Sequence, residues 1–226
     1  RRPVVTAPAG MALGGGCEIA MHGARCQPCG ESYMGLVEVG VGVIPAGGGC
    51  KELLLRLTEG IPTGVVEMGL NMQYYAAKAF ENIATAKVST SAVEAMELGY
   101  VRKSESISLN RDQQLYEAKQ LVLALASTGY RPPRPAMIPV MGENFQGFTD
   151  ALLYNMRHGN YISDYDVHVS RKVAYILSGG ECPEGTFVPE QTLLDLEKEA
   201  FLSLLGEKKT QDRIMHMLNT GKPLRN

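Results

Sequence analysis

The chain has 226 residues, of which 45% are hydrophobic, so it can bury the core of one large domain or of a core with a helical appendage. Its 22 Lys and Arg residues nearly balance 24 Asp and Glu residues, so no excess charge would attract nucleic acid or a membrane surface. No apolar run approaches the roughly 18 residues of a membrane span, and the first residues lack a signal-peptide pattern. We therefore expect a cytoplasmic protein without a membrane span.

The N-terminal third is predicted to alternate between strands and helices. The β-branched, apolar segment 3–9 predicts one buried strand in a parallel or spiral arrangement. The glycines at 14–16 predict a helix that continues to about residue 23, and segment 24–35 predicts a short second strand. Segment 40–49 is rich in glycine and contains a proline, which indicates a loop leading into a helix from Lys51 to Leu57.

The remainder of the chain is predicted to be mostly helical. One helix is expected over 65–87, and the SAVE sequence at 91–94 has the form of a capping box for a helix that stops at Gly99. Asn110 is suited to cap a further helix that ends before Gly129. The RPPRP sequence at 131–135 is the clearest break. Four more helices are predicted near 146–157, 164–178, 190–205 and 211–219.

Five cysteines are an odd number in a chain that needs no disulfides for its stability, which predicts reduced thiols. Cys26 and Cys29 form one CxxC sequence with His22 just upstream. A structural metal site usually needs four ligands, and the sequence offers no second pair. We therefore predict that the chain binds no metal, and we expect all four histidines to be structural or surface groups.

Two glutamates in glycine-rich sequence are the best indication of function. Glu18 follows three glycines and one cysteine, and Glu38 stands twenty positions later, ahead of a second glycine cluster. Glycine allows a ligand to approach the backbone closely, and a helix that starts there would offer free N–H groups to a developing negative charge. Two carboxylates in one site can divide the roles of acid and base. This arrangement suits the addition of water to an activated double bond.

The sequences PVVTAPAGMALGGGCEIAM (3–21) and YMGLVEVGVGVIPAGGG (33–49) resemble the central signature of the crotonase (enoyl-CoA hydratase) superfamily. IPAGGGCKELLLR and the C-terminal FLSLLGEKKTQDRIMHMLNTGKPLRN more closely resemble the hydratase-like C-terminal region of bacterial bifunctional 3-hydroxyacyl-CoA dehydrogenases. This resemblance implies an α/β fold: the second half of a crotonase-like spiral ββα core over 1–100, followed by a mostly helical region over 101–226. That helical region is expected to mediate oligomerisation and to cover the acyl pocket.

The resemblance also implies an activity, the syn addition of water to a trans-2-enoyl-CoA in fatty-acid β-oxidation. Glu18 and Glu38 match the two catalytic glutamates, and Gly15 matches the glycine whose N–H binds the thioester oxygen. Gly14, Pro45 and Ala46 are expected to contact the substrate. Many hydratases have glycine where this chain has Ala46, and alanine keeps the N–H donor but resists positive φ.

No cofactor is expected in this chain, because the substrate itself carries coenzyme A. A nicotinamide site is disfavoured because Pro45 stands where GxGxxG requires its third glycine, so NAD is expected only in a separate dehydrogenase part. Relatives of this type carry an upstream segment with the other oxyanion donor, so we interpret the chain as a piece of a longer polypeptide that is nearly inactive alone. The expected partners are an acyl-CoA thioester, that upstream part and further copies of the chain.

Two other interpretations remain open. The superfamily includes isomerases, hydrolases and decarboxylases, although many of these lack one of the two glutamates. In a different class, the chain could be a non-catalytic oligomerisation module of a multifunctional β-oxidation protein.

Overall fold

The computed structural model describes residues 2–68 and 70–226 as short strands joined by longer helices. In chain order the strands are β1 (Val5–Thr6), β2 (Gly10–Leu13), β3 (Arg25–Cys26), β4 (Ser32–Gly35), β5 (Met137–Pro139) and β6 (Phe187–Pro189). The helices are α1 (Gly15–Met21), α2 (Gly49–Thr58), α3 (Thr63–Glu67), α4 (Gln73–Ala84), α5 (Ala92–Leu98), α6 (Arg111–Ser127), α7 (Glu143–His158), α8 (Asp164–Leu177), α9 (Glu190–Leu205) and α10 (Lys208–Thr220), with a 3-10 helix at Glu38–Val41. The α/β class with a mostly helical C-terminal part is confirmed.

The chain divides into two compact units. The first unit runs up to Leu36 and from Lys87 to Pro135, and the second contains Val37–Ala86 and Ala136–Asn226. Each compact unit combines stretches from both sides of residue 100. These units are groups of contacting residues, and the division into regions 1–100 and 101–226 stays a prediction.

The first unit contains two pairs of parallel strands. β1 pairs with β3, and β2 pairs with β4, with Met11 opposite Tyr33. The strand predicted over 3–9 is observed as β1 in the expected parallel arrangement, but it covers only two residues and neither is fully buried. Pro8 has no N–H for a strand ladder, and Gly10 has φ +68°, so the extended backbone is interrupted between them.

The helix boundaries of the first unit follow the caps expected from the sequence. The Ser91 side chain accepts a hydrogen bond from the N–H of Glu94, and Gly99 ends α5 with φ +92°. The box is not reciprocal, because the Glu94 carboxylate instead accepts from the N–H and hydroxyl of Thr90. The Asn110 side chain caps α6 by accepting from the N–H of Asp112, as predicted.

The second unit packs helices around α2, which contacts α4, α8 and α9. Its core is apolar and includes an edge-to-face contact between Phe80 and Phe145. The prediction of one continuous helix over 65–87 is wrong, because α3 and α4 are separate. Asn71 accepts a hydrogen bond from the N–H of Gln73, and this local bond competes with continued helix. Gly69 falls inside that prediction but lies outside the described residues.

The other predicted helices of the second unit are observed with small shifts at their ends. α2 starts two residues before the predicted Lys51, and α9 matches its predicted range of 190–205. α8 begins with a complete capping box between Ser163 and Asp166. Among the described residues, no helix is both long and apolar enough to cross a bilayer.

Candidate functional site

At the start of α1, in the first unit, Gly14 is buried and Gly15 and Gly16 present an open stretch of backbone. Gly14 has φ +55°, its N–H donates to the carbonyl of Gly35 at 2.8 Å, and its own carbonyl accepts from the N–H of Glu18. Gly15 and Gly16 are exposed, and a Cβ built on either would meet nothing within 4 Å. Within the described part of the chain the N–H of Gly15 has no acceptor. A ligand oxygen can therefore reach this amide.

Glu18 lies in the first turn of the same helix, three residues after that amide. Its side chain is largely buried, with 8% relative exposure. The Glu18 carbonyl accepts from the backbone N–H of His22 and lies 2.7 Å from its ring Nδ1, so this histidine has a structural role at the end of α1. The first unit thus places a buried carboxyl group close in sequence to an accessible backbone donor.

Glu38 begins the 3-10 helix of the second unit. Both oxygens of its carboxyl group are buried, although the residue as a whole is partly exposed. Its backbone carbonyl accepts hydrogen bonds from the N–H groups of Gly42 and Val43. Glu38 is therefore held by a closed turn, rather than by the solvent-facing strand or loop that an ordinary surface glutamate would occupy.

Pro45 and Ala46 lie on the loop between that turn and α2. Pro45 is buried and its carbonyl accepts from the Sγ of Cys50 at 3.4 Å, whereas Ala46 is partly exposed. Positive φ at a non-glycine residue is found at Ala86 and Asn160 but not at Ala46. The alanine therefore keeps its N–H without strain, and the expected conflict with positive φ does not arise.

Glu197 anchors the same loop from α9 and was not found by sequence reasoning. Its carboxylate accepts from the N–H of Gly48 at 2.9 Å and from the N–H of Lys51 at 2.7 Å, and the residue has 0% exposure. These are donors at the first turn of α2, which a carboxylate suits. The available signal was the position of Glu197 on the buried face of α9 with Leu193 and Leu204.

Next to this cap, α2 carries a buried ion-pair network. Lys51 Nζ lies 2.9 Å from the Glu52 carboxylate and 3.4 Å from that of Glu190, and Arg56 Nε lies 2.9 Å from Glu52. Burial raises the pKa of Glu52, but Arg56 and Lys51 outweigh it, so the pKa lies below its usual value. Glu52 is thus kept charged as part of the scaffold.

The predicted site residues fall into two groups. Gly14, Gly15 and Glu18 share the first unit, while Glu38 and the loop 45–46 share the second. Gly14, Gly15 and Glu18 lie at the first turn of α1, and Glu38 and the loop 45–46 lie on the segment that leads into α2. The joint action of the two groups stays a prediction.

The CxxC sequence, which was considered as a metal site, lies in the first unit. Cys26 and Cys29 are free, buried thiols. Among the described residues, no three His, Cys, Asp or Glu side chains are grouped so that they could hold a metal ion.

Comparison with known proteins confirms the resemblance. No protein-family model matches the chain. It is 48% identical over its full length to a probable 3-hydroxyacyl-CoA dehydrogenase of Bacillus subtilis, of which it spans 28%. It is 29% identical over 73% of its length to a probable enoyl-CoA hydratase of Mycobacterium leprae, of which it spans 56%. The chain thus spans between about a quarter and just over half of these relatives.

A solved structure supports the fold. The crystal structure of carnitinyl-CoA hydratase from Mycobacterium avium matches 98% of this chain and 62% of its own with a TM-score of 0.53, at 18% identity. The chain therefore has the crotonase-like fold, and it is similar in sequence to part of a bacterial 3-hydroxyacyl-CoA dehydrogenase.

Proposed function

We propose that this chain supplies enoyl-CoA hydratase activity within a longer 3-hydroxyacyl-CoA dehydrogenase polypeptide. The observation that carries the proposal is the start of α1, where the accessible N–H of Gly15 lies one turn from the buried carboxyl group of Glu18. The substrate would be a trans-2-enoyl-CoA and the product a 3-hydroxyacyl-CoA, and a cytoplasmic location would suit this reaction.

Gly15 would act on the thioester oxygen. When water adds to C3, negative charge moves from the double bond onto this oxygen, and a backbone N–H at hydrogen-bond distance stabilises it. Removing one such donor in a preorganised site typically costs about 3 kcal/mol of transition-state stabilisation. Its exposed, side-chain-free surroundings give a thioester room to approach. We propose that a second donor comes from the upstream part of the polypeptide.

Glu18 and Glu38 would carry out the proton transfers of the reaction. One carboxylate takes a proton from the water whose oxygen bonds to C3, and the other, in its acid form, delivers a proton to C2. Both side chains are largely withdrawn from solvent, which strengthens their electrostatic effect on a bound water. The residues leave open which glutamate is the acid and which is the base. The N–H of Ala46 would help to position the water, while Gly14 and Pro45 shape the loops around it.

The test is hydration of crotonyl-CoA by the complete polypeptide. We expect Glu18→Gln and Glu38→Gln each to lower kcat by at least about a hundredfold, since positioned acid and base groups contribute 10² to 10⁴. The matched control is Glu97→Gln, an exposed glutamate in α5, which should keep the parent rate. If either site variant folds normally and hydrates at nearly the parent rate, that residue has no part in the mechanism.

An assembly role is a second proposal, supported by α6. This helix buries few of its side chains and exposes large apolar ones, Leu115, Tyr116 and Leu123. Large apolar side chains on one exposed helix are often covered in an oligomer. Light scattering would give the oligomeric state, and thermal stabilisation by acetoacetyl-CoA would separate an oligomeric enzyme from a non-catalytic module. Assembly without any ligand effect would favour the module.

A further inference from the structure

Thr210, on α10, contacts the turn that carries Glu38. Its hydroxyl lies 2.6 Å from the carbonyl oxygen of Gly42 and 2.7 Å from the hydroxyl of Tyr165. Thr210 has 0% exposure, and all these residues belong to the second unit. This is a buried polar contact between residues 168 positions apart in the chain.

The direction of these hydrogen bonds follows from the groups involved. The Gly42 carbonyl can only accept, so Thr210 must donate its single hydroxyl proton to it. The Tyr165 hydroxyl lies at hydrogen-bond distance from the Thr210 oxygen, and it also interacts with the Glu207 carboxylate, which can only accept. Burial raises the pKa of Tyr165 above its usual value, so its hydroxyl keeps the proton at neutral pH. The contact is therefore a chain of two hydroxyl groups, Tyr165 and Thr210, in which Thr210 donates to the Gly42 carbonyl.

Gly42 connects this chain to Glu38 through the backbone. It ends the 3-10 helix with φ +81°, and its N–H donates to the carbonyls of Glu38 and Val39. The packing is tight, because a Cβ on Gly42 would lie 3.0 Å from Thr210 Oγ1. The Gly42 carbonyl shares its peptide group with the N–H of Val43, which donates to the Glu38 carbonyl at 3.3 Å, so a shift of this peptide group would move the first residue of the turn.

Arg213, one turn further along α10, holds this chain of hydroxyl groups in place. This fully buried guanidinium donates to the Asp166 carboxylate at 2.7 Å and to the Ser163 hydroxyl at 3.1 Å, and it lies over the Tyr165 ring at 5.0 Å. A buried cation is stable only when it is paired and hydrogen-bonded, so the contacts of Arg213 hold α8 and α10 together at this point. Thr210 therefore presents its hydroxyl to Gly42 from a rigid support.

We propose that Thr210 is a positioning residue that orients Glu38 for catalysis through the Gly42 peptide. This inference rests on the proposed hydratase function. Small displacements of a catalytic group are costly, since a misplacement of about 1 Å can cost about a hundredfold in rate. The C-terminal helix α10 would thus contribute to turnover without touching the substrate.

The experiment compares Thr210→Val, which keeps the shape but removes the hydroxyl, with Thr210→Ser, which keeps the hydroxyl. Thr220→Val is the matched control, because Thr220 is an exposed threonine at the end of the same helix. In the complete polypeptide, crotonyl-CoA hydration by Thr210→Val should show kcat lowered about ten- to a hundredfold and KM within about twofold of the parent. Thr210→Ser should recover kcat to within about threefold, and Thr220→Val should match the parent.

A double-mutant cycle shows whether Thr210 acts through Glu38. In a Glu38→Gln background, Thr210→Val should lower kcat no further, because the group it orients is gone. Independent, multiplying effects would overturn the inference, as would an unchanged kcat in folded Thr210→Val. If Thr210→Val does not fold, Tyr165→Phe decides in its place. This variant removes the hydroxyl that contacts Thr210 and Glu207, and a parent kcat in it would equally overturn the inference.

The hydratase mechanism and the role of Thr210 can be tested separately. If Glu38→Gln itself keeps the parent rate, the proposed hydratase mechanism is wrong. If Glu38→Gln loses activity while kcat of Thr210→Val stays at the parent value, only the role of Thr210 is wrong.

Discussion

Glu197 is expected to stabilise the second unit by capping α2 from within the core. The substitution Glu197→Gln keeps the size of the side chain and removes its charge. In the parent, the two carboxylate oxygens accept from the buried N–H groups of Gly48 and Lys51 at 2.9 and 2.7 Å. Glutamine has one acceptor oxygen, so its amide NH₂ must face one of these donors.

The size of the effect follows from the two hydrogen bonds. One buried N–H loses its acceptor, which costs about 1–3 kcal/mol, and the other exchanges a charged acceptor for a neutral one, which costs about 1 kcal/mol more. We therefore expect Glu197→Gln to lower the free energy of unfolding by about 2–4 kcal/mol. In a chain of this size, 1 kcal/mol shifts Tm by roughly 2–4 °C, so Tm should fall by about 4–16 °C.

The assay is urea and thermal unfolding of the 226-residue chain, followed by circular dichroism. Glu199→Gln is the matched control, because it removes the same charge from an exposed position on the same helix, and its stability should change by less than about 0.5 kcal/mol. If the free energies of unfolding of the two variants differ by less than about 1 kcal/mol, the Glu197 cap contributes little and the reasoning is refuted.

Three further predictions concern the pH dependence of stability, the backbone conformation of two glycines, and the activity of the chain without its upstream part. Burial raises the pKa of Asp166, but the Ser163 N–H and two arginines outweigh burial and hold this pKa below its usual value. The ionised Asp166 therefore stabilises the folded chain above about pH 4, and this stabilisation is lost as the pH falls further. The difference in Tm between the parent and Asp166→Asn should therefore shrink from pH 6 to pH 2; a constant difference would contradict this. Gly42→Ala should lower the free energy of unfolding by at least about 1 kcal/mol, because Gly42 has φ +81°. Gly147→Ala, at an open position within α7, should raise it by about 0.5–1 kcal/mol. Equal effects of the two substitutions in denaturant titrations would contradict the left-handed conformation of Gly42. The 226-residue chain alone should form almost no 3-hydroxybutyryl-CoA from crotonyl-CoA, because the proposed mechanism needs a second thioester-oxygen donor from the upstream part of the polypeptide; a rate equal to that of the complete polypeptide would contradict this.

Local chemistry explains which predictions from the sequence are confirmed. Asn110 and Ser91 cap helices because their side chains accept from an N–H two or three residues ahead, and Gly99 ends a helix because it tolerates positive φ. The ranges predicted for α8 and α9 also agree closely with the observed ones. The first strand was predicted too long because the interruption at Pro8 and Gly10 depends on which neighbouring strand each residue meets.

The sequence by itself determined the helices with strong caps and the glycine-rich turns, because each of these depends on residues within a few positions of one another. The two glutamates, twenty positions apart, were indicated by the resemblance to the hydratase signature. Tertiary structure alone decided what supports those turns. Glu197 reaches Gly48 across 149 positions, and Thr210 reaches Gly42 across 168. No local pattern encodes such contacts, because a hydrogen bond between distant residues forms only after packing has brought their helices together, and burial then makes it costly to break.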